Sequence, residues 1–134
     1  MVHKYTIKDE QGHGVSYVAR RMLTEVIRLR NQYSMENGFL FDRIYVSPTI
    51  ANFFSDLDGF FVSSDESHKN INNTTQFIGK VSDIKIYIDL EINRNQIKLS
   101  IGKSQIRELK INSIISDMEI KNIEAILEIE SDLI

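Results

Sequence analysis

The chain reads as an α+β domain in which one long amphipathic helix packs on a face of a mostly antiparallel sheet. Three observations predict this. Apolar residues recur at helical spacing from Val15 to Met35. Ile84, Ile86 and Ile88, then Ile97, Leu99 and Ile101, alternate with polar residues at the period of half-buried strands. The 134 residues are 42% hydrophobic and 26% charged, which supplies one core and gives no reason to divide the chain, so 1–134 is read as a single domain.

Taken in order, His3 to Lys8 alternates weakly and reads as a short edge strand. The cluster from Asp9 to Gly14 is a turn, and Ser16 is the expected cap of the first helix. Val18, Met22, Val26, Leu29 and Tyr33 form its apolar stripe, widened by Val15, Ala19, Leu23 and Ile27. Its other face carries Arg20, Arg21, Glu25, Arg28 and Arg30. Asn37-Gly38 supplies a left-handed stop. Phe39 to Ser47 reads as a buried strand. Ser47-Pro48 is a helix opening, cap followed by first-turn proline. Ile50, Ala51, Phe53, Phe54 and Leu57 give that second helix a broad apolar face, and Asp58-Gly59 ends it. Ser63 to Thr75 is a long polar loop, a length usually reserved for function or motion. The strand Ile84–Asp89 is expected to turn at Asn93–Gln96 and pair with Ile97–Ile101. Ile106 to Ile115 fits a third strand of that meander or something else. The tail from Met118 to Leu133 reads as a helix, with Ala125–Ile129 as an alternative strand.

Composition removes several classes. Net charge is −3, which argues against nucleic acid as a general partner, since that function needs a basic footprint. The chain has no cysteine, so disulfides and thiolate metal sites are excluded. No apolar run reaches the ~18 residues of a membrane span, and Met1-Val2-His3-Lys4 is too polar for a signal peptide.

The residues offer little chemistry. His3, His13 and His68 are not spaced as helical metal ligands and read as surface histidines. Asp89 followed by Glu108-Leu109-Lys110 loosely fits a metal-dependent nuclease. There the two carboxylates would hold a divalent cation and Lys110 would orient the attacking water. Glu-x-Lys is common in a chain this charged, so a solvated strand face explains it as well. Gly12-x-Gly14 lacks the strand that a phosphate loop follows, and Gly79 reads as a turn or bulge glycine. No catalytic, metal or cofactor residues are therefore assigned. Phe53, Phe54, Phe60 and Phe61 read mainly as core. Phe60 and Phe61, at the base of the polar loop, are also candidates for an interface centre, and Arg20 and Arg28 for an alternative docking face.

The stretch from Arg43 to Lys103 resembles one family, the major capsid proteins of T-even-type tailed phages. Ile44-Tyr45-Val46-Ser47 is similar to that family's first strand, and Thr49 to Phe54 to the helix after it. Thr75-Gln76-Phe77-Ile78-Gly79 resembles its loop exit. Ile84-Lys85-Ile86-Tyr87-Ile88-Asp89 is the closest piece, and Ile101-Gly102-Lys103 a reduced form of the last. The order is kept over roughly half the chain. The resemblance implies the axial domain, a mixed α/β unit near a capsomer's symmetry axis that packs against neighbouring copies. The family's long N-terminal arm, extended loop and most of its peripheral domain have no counterpart here, and Ser104 to Ile115 departs from its pattern. The expectation is a stand-alone or trimmed axial domain: a non-enzymatic structural or head-assembly protein, in the virion or host cytoplasm, binding capsid subunits or copies of itself. The readings set against it are the nuclease and a small host-interaction or regulatory module.

Overall fold

The computed structural model describes residues 2–57, 59–60, 74–111 and 124–134, the side chains of Lys103, Ser104 and Lys110 excepted. The expectations placed on Asp58, Phe61, His68, most of the polar loop and the segment 112–123 lie outside these residues. The described elements are β1 (Val2–Thr6), α1 (Val15–Asn37), β2 (Arg43–Val46), α2 (Pro48–Ser55), β3 (Thr75–Val81), β4 (Ile84–Asp89), β5 (Gln96–Ser100), α3 (Lys103–Ile111) and β6 (Ala125–Glu130).

The class is α+β, but the sheet is mixed rather than mostly antiparallel. Six strands run in the order β1-β6-β5-β2-β4-β3. β1 lies parallel to β6 and β2 parallel to β4, while β2–β5, β3–β4 and β5–β6 are antiparallel. The expected hairpin between β4 and β5 is overturned, because β2 is inserted between them. β4 instead makes its hairpin with β3, through Ser82 and Asp83, both at positive φ (48° and 66°). A two-residue turn with both centres left-handed matches the twist of the flanking strands. Gly79 sits where the β3–β4 register shifts, so it is a bulge glycine.

α1 follows the periodicity closely. Val18, Ala19, Met22, Val26 and Leu29 are fully buried, and Gly38 closes the helix in the left-handed region, its N–H donating to the Ser34 carbonyl. Ser16 is not the cap. Gly14 occupies that position without a side-chain cap bond, and the turn before it is held by Asp9, whose carboxylate accepts from the N–H groups of His13 and Gly14 at 2.7 and 2.6 Å. The Gly14 bond is the main reason the Asp9 carboxyl titrates below its ordinary value. α1 and α2 pack against each other, and α2 rests on β2 and β4.

Between helices and sheet lies one core. Ile44, Val46, Ile84, Ile86, Ile97, Leu99, Ala125, Leu127 and Ile129 supply its sheet side, with Met22, Val26, Leu29, Ile50 and Phe54 opposite. Burial of such side chains contributes roughly 1.5–3 kcal/mol each before chain entropy is subtracted.

Three further expectations are corrected. The strand predicted over Phe39–Ser47 is confined to Arg43–Val46. Phe39 and Phe41 are buried outside it, and the Phe41 carbonyl accepts from Arg30 Nε at 2.7 Å instead of a neighbouring strand. Of the ambiguous segment Ile106–Ile115, the described residues 106–111 belong to α3 rather than to a third meander strand. Over the last part of the expected C-terminal helix the alternative holds instead: Ala125–Ile129 belongs to strand β6, whose Ala125, Leu127 and Ile129 face the core.

Ser47 joins two parts of this frame. Its Oγ accepts from the Ile50 N–H at 3.2 Å, capping α2, and donates to the Arg94 carbonyl at 2.6 Å. One hydroxyl thereby ties the exit of β2 to the loop between β4 and β5.

Candidate interaction surfaces

Among the described residues, two surfaces bear chemistry beyond the core. The first is the outward side of α1. Residues three and four apart on a helix are neighbours, and here they form a hydrogen-bonded series. Arg28 Nε donates to Glu25 at 3.0 Å, Arg28 Nη1 to Gln32 at 3.3 Å, and Gln32 to Glu36 at 3.3 Å. Glu25 is nearly buried, with 11% of its side chain exposed, whereas Arg28 is 56% exposed. Its hydrogen bond to Glu25 is the chief cause of the upward shift in the Arg28 pKa. Arg21 lies 5.8 Å from the centroid of Tyr5 on β1. Arg20 is exposed, and its carbonyl accepts from the Thr24 hydroxyl. The five-residue polar face read from the sequence therefore divides. Arg20, Arg21 and Arg28 reach the surface, Glu25 turns inward, and Arg30 is committed to the Phe41 carbonyl.

The second surface is the sheet face away from α1 and α2. In-register partners share a face, which aligns one row across all six strands: Phe77, Tyr87, Tyr45, Lys98, Ile126 and Val2. Phe77 meets Tyr87 edge-on at 5.4 Å, and Tyr87 stacks on Tyr45 at 5.3 Å. Arg43 lies 5.2 Å from the Tyr87 centroid and Lys98 4.9 Å from that of Tyr45. Each such contact is worth ~0.5–1.5 kcal/mol beyond area burial. The row grades from buried at Phe77 and Tyr87, through half-buried Tyr45, Lys98 and Ile126, to exposed Val2.

Aromatics with cations on an open sheet are also the equipment of a single-strand nucleic-acid platform. That function needs a free ring face. Tyr45 has Tyr87 on one side and Lys98, from the opposite neighbouring strand, on the other. The row is therefore built for packing rather than base stacking. Arg43 is held by Asp42, with Nε to Oδ1 at 3.0 Å. Burial alone would lower the Arg43 pKa, but the Asp42 hydrogen bond and charge, with Tyr87 and Tyr45, more than offset it and raise the value. Sequence reading did not single out this row. Tyr45 and Tyr87 were visible as the off-beat residues of two alternating strands, but only the parallel β2–β4 pairing brings them together.

The remaining candidates are dispersed. Phe60 is half-buried against the core, its N–H donating to the Leu57 carbonyl. Phe61 lies outside the described residues. Asp89 ends β4, where it accepts from the Glu91 N–H. Glu108 lines a small recess with Phe39, Ile101, Gln105 and Leu109. That recess lies beyond the opposite end of the strands, because Arg43, four positions after Phe39, and Ser100, next to Ile101, are paired with each other and Arg43 with Lys85. The nuclease constellation is not assembled among the described residues. His3 is not simply solvated: its Nε2 lies 3.1 Å from the Tyr33 hydroxyl. An open cleft of about 720 Å³ beside the ends of β1 and β6 is lined by Asp9, Glu10, Glu130 and Asp132 against a single Lys8, a lining that repels anions. No helix among the described residues is long and apolar enough to cross a membrane.

Comparison with protein-family models, with curated proteins and with solved structures returns no match for this chain.

Proposed function

We propose that this protein is a phage structural or head-assembly component, related in design to a capsid axial domain, which works by binding copies of itself or a capsid subunit and carries out no chemistry of its own. One observation carries the reading. The segments that bear the capsid resemblance fall, in chain order, on β2, α2, β3 and β4, with the last, Ile101-Gly102-Lys103, following β5. The three strands among them form one unbroken part of the sheet, β2-β4-β3, and β5 lies beside β2. Arg20 and Arg28, exposed on α1, are one candidate docking surface and the Phe60-Phe61 pair is the other, and a packed aromatic row suits a rigid scaffold. The place of action is the virion or the host cytoplasm.

The test is a pull-down of purified capsid subunit, paired with analytical ultracentrifugation, on Arg28→Glu and Phe61→Ala. Loss of capture with Arg28→Glu alone assigns the α1 face, and loss with Phe61→Ala alone assigns the loop base. Cleavage of DNA in a divalent-cation titration, abolished by Asp89→Asn, would replace this reading with the nuclease. Absence of the protein from purified heads and assembly intermediates, with no capture of capsid subunit, would favour a host-interaction module instead.

A further inference from the structure

The two edges of the sheet differ in how they meet an incoming strand. β3 carries a bulge between Phe77 and Gly79, a device that turns an edge away from further pairing. Among the described residues β1 carries no such bulge. It runs in unbroken register with β6 for five residues, without proline. The Ile7 N–H donates to the Glu130 carbonyl at 2.8 Å, so the odd-numbered residues of this strand turn their backbone groups toward β6. Successive residues turn these groups to opposite sides. The N–H and C=O of Val2, Lys4 and Thr6 therefore point out of the sheet, and their side chains are exposed as well.

We propose that two copies of this chain pair through β1, antiparallel about a two-fold axis, and join their sheets into one. Charge selects the register. Centring the axis on Lys4 would oppose two lysines on a hydrogen-bonded pair, an unfavourable arrangement. A shift of two residues places each Lys4 opposite Thr6 of the second copy. In each copy Lys4 lies beside Glu128 and Thr6 beside Glu130. The row crossing the junction then reads Glu128, Lys4, Thr6, Glu130, with the lysine between two carboxylates. Thr6 Oγ1 already donates to Glu130 at 3.2 Å, which holds that carboxylate in the row. Each Lys4–Thr6 pair exchanges both of its outward backbone hydrogen bonds, and Tyr5 meets Tyr5 at the axis on the helix side. A self-complementary patch of this kind is what a closed two-fold dimer requires.

This deepens the self-association half of the function proposed above, and it is carried by the edge itself. Sedimentation equilibrium on the purified chain decides it, with circular dichroism as the check of fold. The unmodified protein is expected to be a dimer. Lys4→Pro removes one outward N–H per copy and leaves the bonds to β6 in place, so it should yield a folded monomer. Lys4→Glu should raise the dimer dissociation constant about tenfold or more, and adding Glu130→Lys should recover most of that loss. If Lys4→Pro does not fold, the charge exchange decides the matter, since Lys4 is exposed and its side chain carries no ladder bond. A monomeric wild type, or a dimer indifferent to both Lys4 variants, overturns the proposal. Capture of a capsid subunit by a monomer would leave the functional reading standing and sink only this interface.

Discussion

Replacing Ser47 by alanine removes two interactions at once. The Oγ atom caps α2 through the Ile50 N–H and donates to the Arg94 carbonyl. Losing a serine cap costs about 1 kcal/mol, and losing a hydrogen bond of ordinary strength costs about 1 kcal/mol more. The side chain is small and the residue only 2% exposed, so no compensating burial follows. The expected loss is about 2 kcal/mol, which in a chain of 134 residues corresponds to a fall in melting temperature of about 7 °C. Ser47→Thr retains both partners and should stay near the wild type. Ser47→Gly keeps most of the capping preference but not the tie to Arg94, so it should fall between. Urea melts of the four proteins, with the slope checked for constancy, measure this directly. A Ser47→Ala protein within about 0.5 kcal/mol of wild type would show that the hydroxyl does not join β2 to the β4–β5 loop as described.

Other outcomes follow from the same frame. Val26 is fully buried on α1; Val26→Asp places an unpaired carboxylate in the core and should abolish cooperative unfolding, so a soluble, cooperatively melting variant would contradict the packing. A side-chain carbon at Gly102 would lie 2.5 Å from Arg43 Nη2. Gly102→Ala should therefore cost about 1 kcal/mol, and the cost should largely vanish in an Arg43→Ala background; an unchanged cost there means backbone, not Arg43, is the obstacle. Asp9 is held below its ordinary value of 3.8 chiefly by the Gly14 N–H. A depressed carboxylate stabilises above its unfolded pKa and loses that contribution as pH falls through the folded one. The melting temperatures of wild type and Asp9→Asn should differ at neutral pH and converge in acid below 3.8; a constant gap would refute the carboxylate's role.

Local chemistry made several elements legible. α1 was readable from Val18 to Leu29 because a 3.6-residue stripe has one physical solution in a small domain. The α2 start was readable because Ser-Pro fits only a narrow set of backbone positions. Ile84 to Asp89 announced a strand by strict alternation. What was hidden depends on partners far away in the chain. β6 and the residue before it carry Glu124, Glu128 and Glu130 among apolar residues, a composition that suits a helix equally well. It becomes a strand because β1 and β5 flank it, and residues 125–130 alone leave the strand reading of Ala125–Ile129 as no more than an alternative to the helix. The same holds for β2, whose insertion between β4 and β5 turned an expected meander into a mixed sheet. Of the candidate site residues, Arg20 and Arg28 were correctly placed on an outward helix face. Of the other residues read onto that face, Glu25 turns inward, because its spacing from Val18, Met22 and Leu29 sets it on the buried stripe, and Arg30 is drawn to the Phe41 carbonyl by a tertiary contact. The aromatic row escaped notice for the same reason, since its members come from three separate strands.

The pairing of β1 with β6 also has a temporal consequence. Thr6 and Glu130, joined by a side-chain hydrogen bond, are 124 positions apart, so the loop closed by this pair is nearly the whole chain. Closure entropy grows with loop length, and distant pairings are rewarded late. β5, β2, β4 and β3 can assemble with α2 from residues within a sixty-residue span, whereas β1 has no described strand neighbour until β6 exists. Pulsed hydrogen exchange should find protection in β2 and β4 well before β1. Until then a nascent chain carries β5 with one side unpaired, so the order of synthesis sets how long the growing protein is open to pairing with a neighbour.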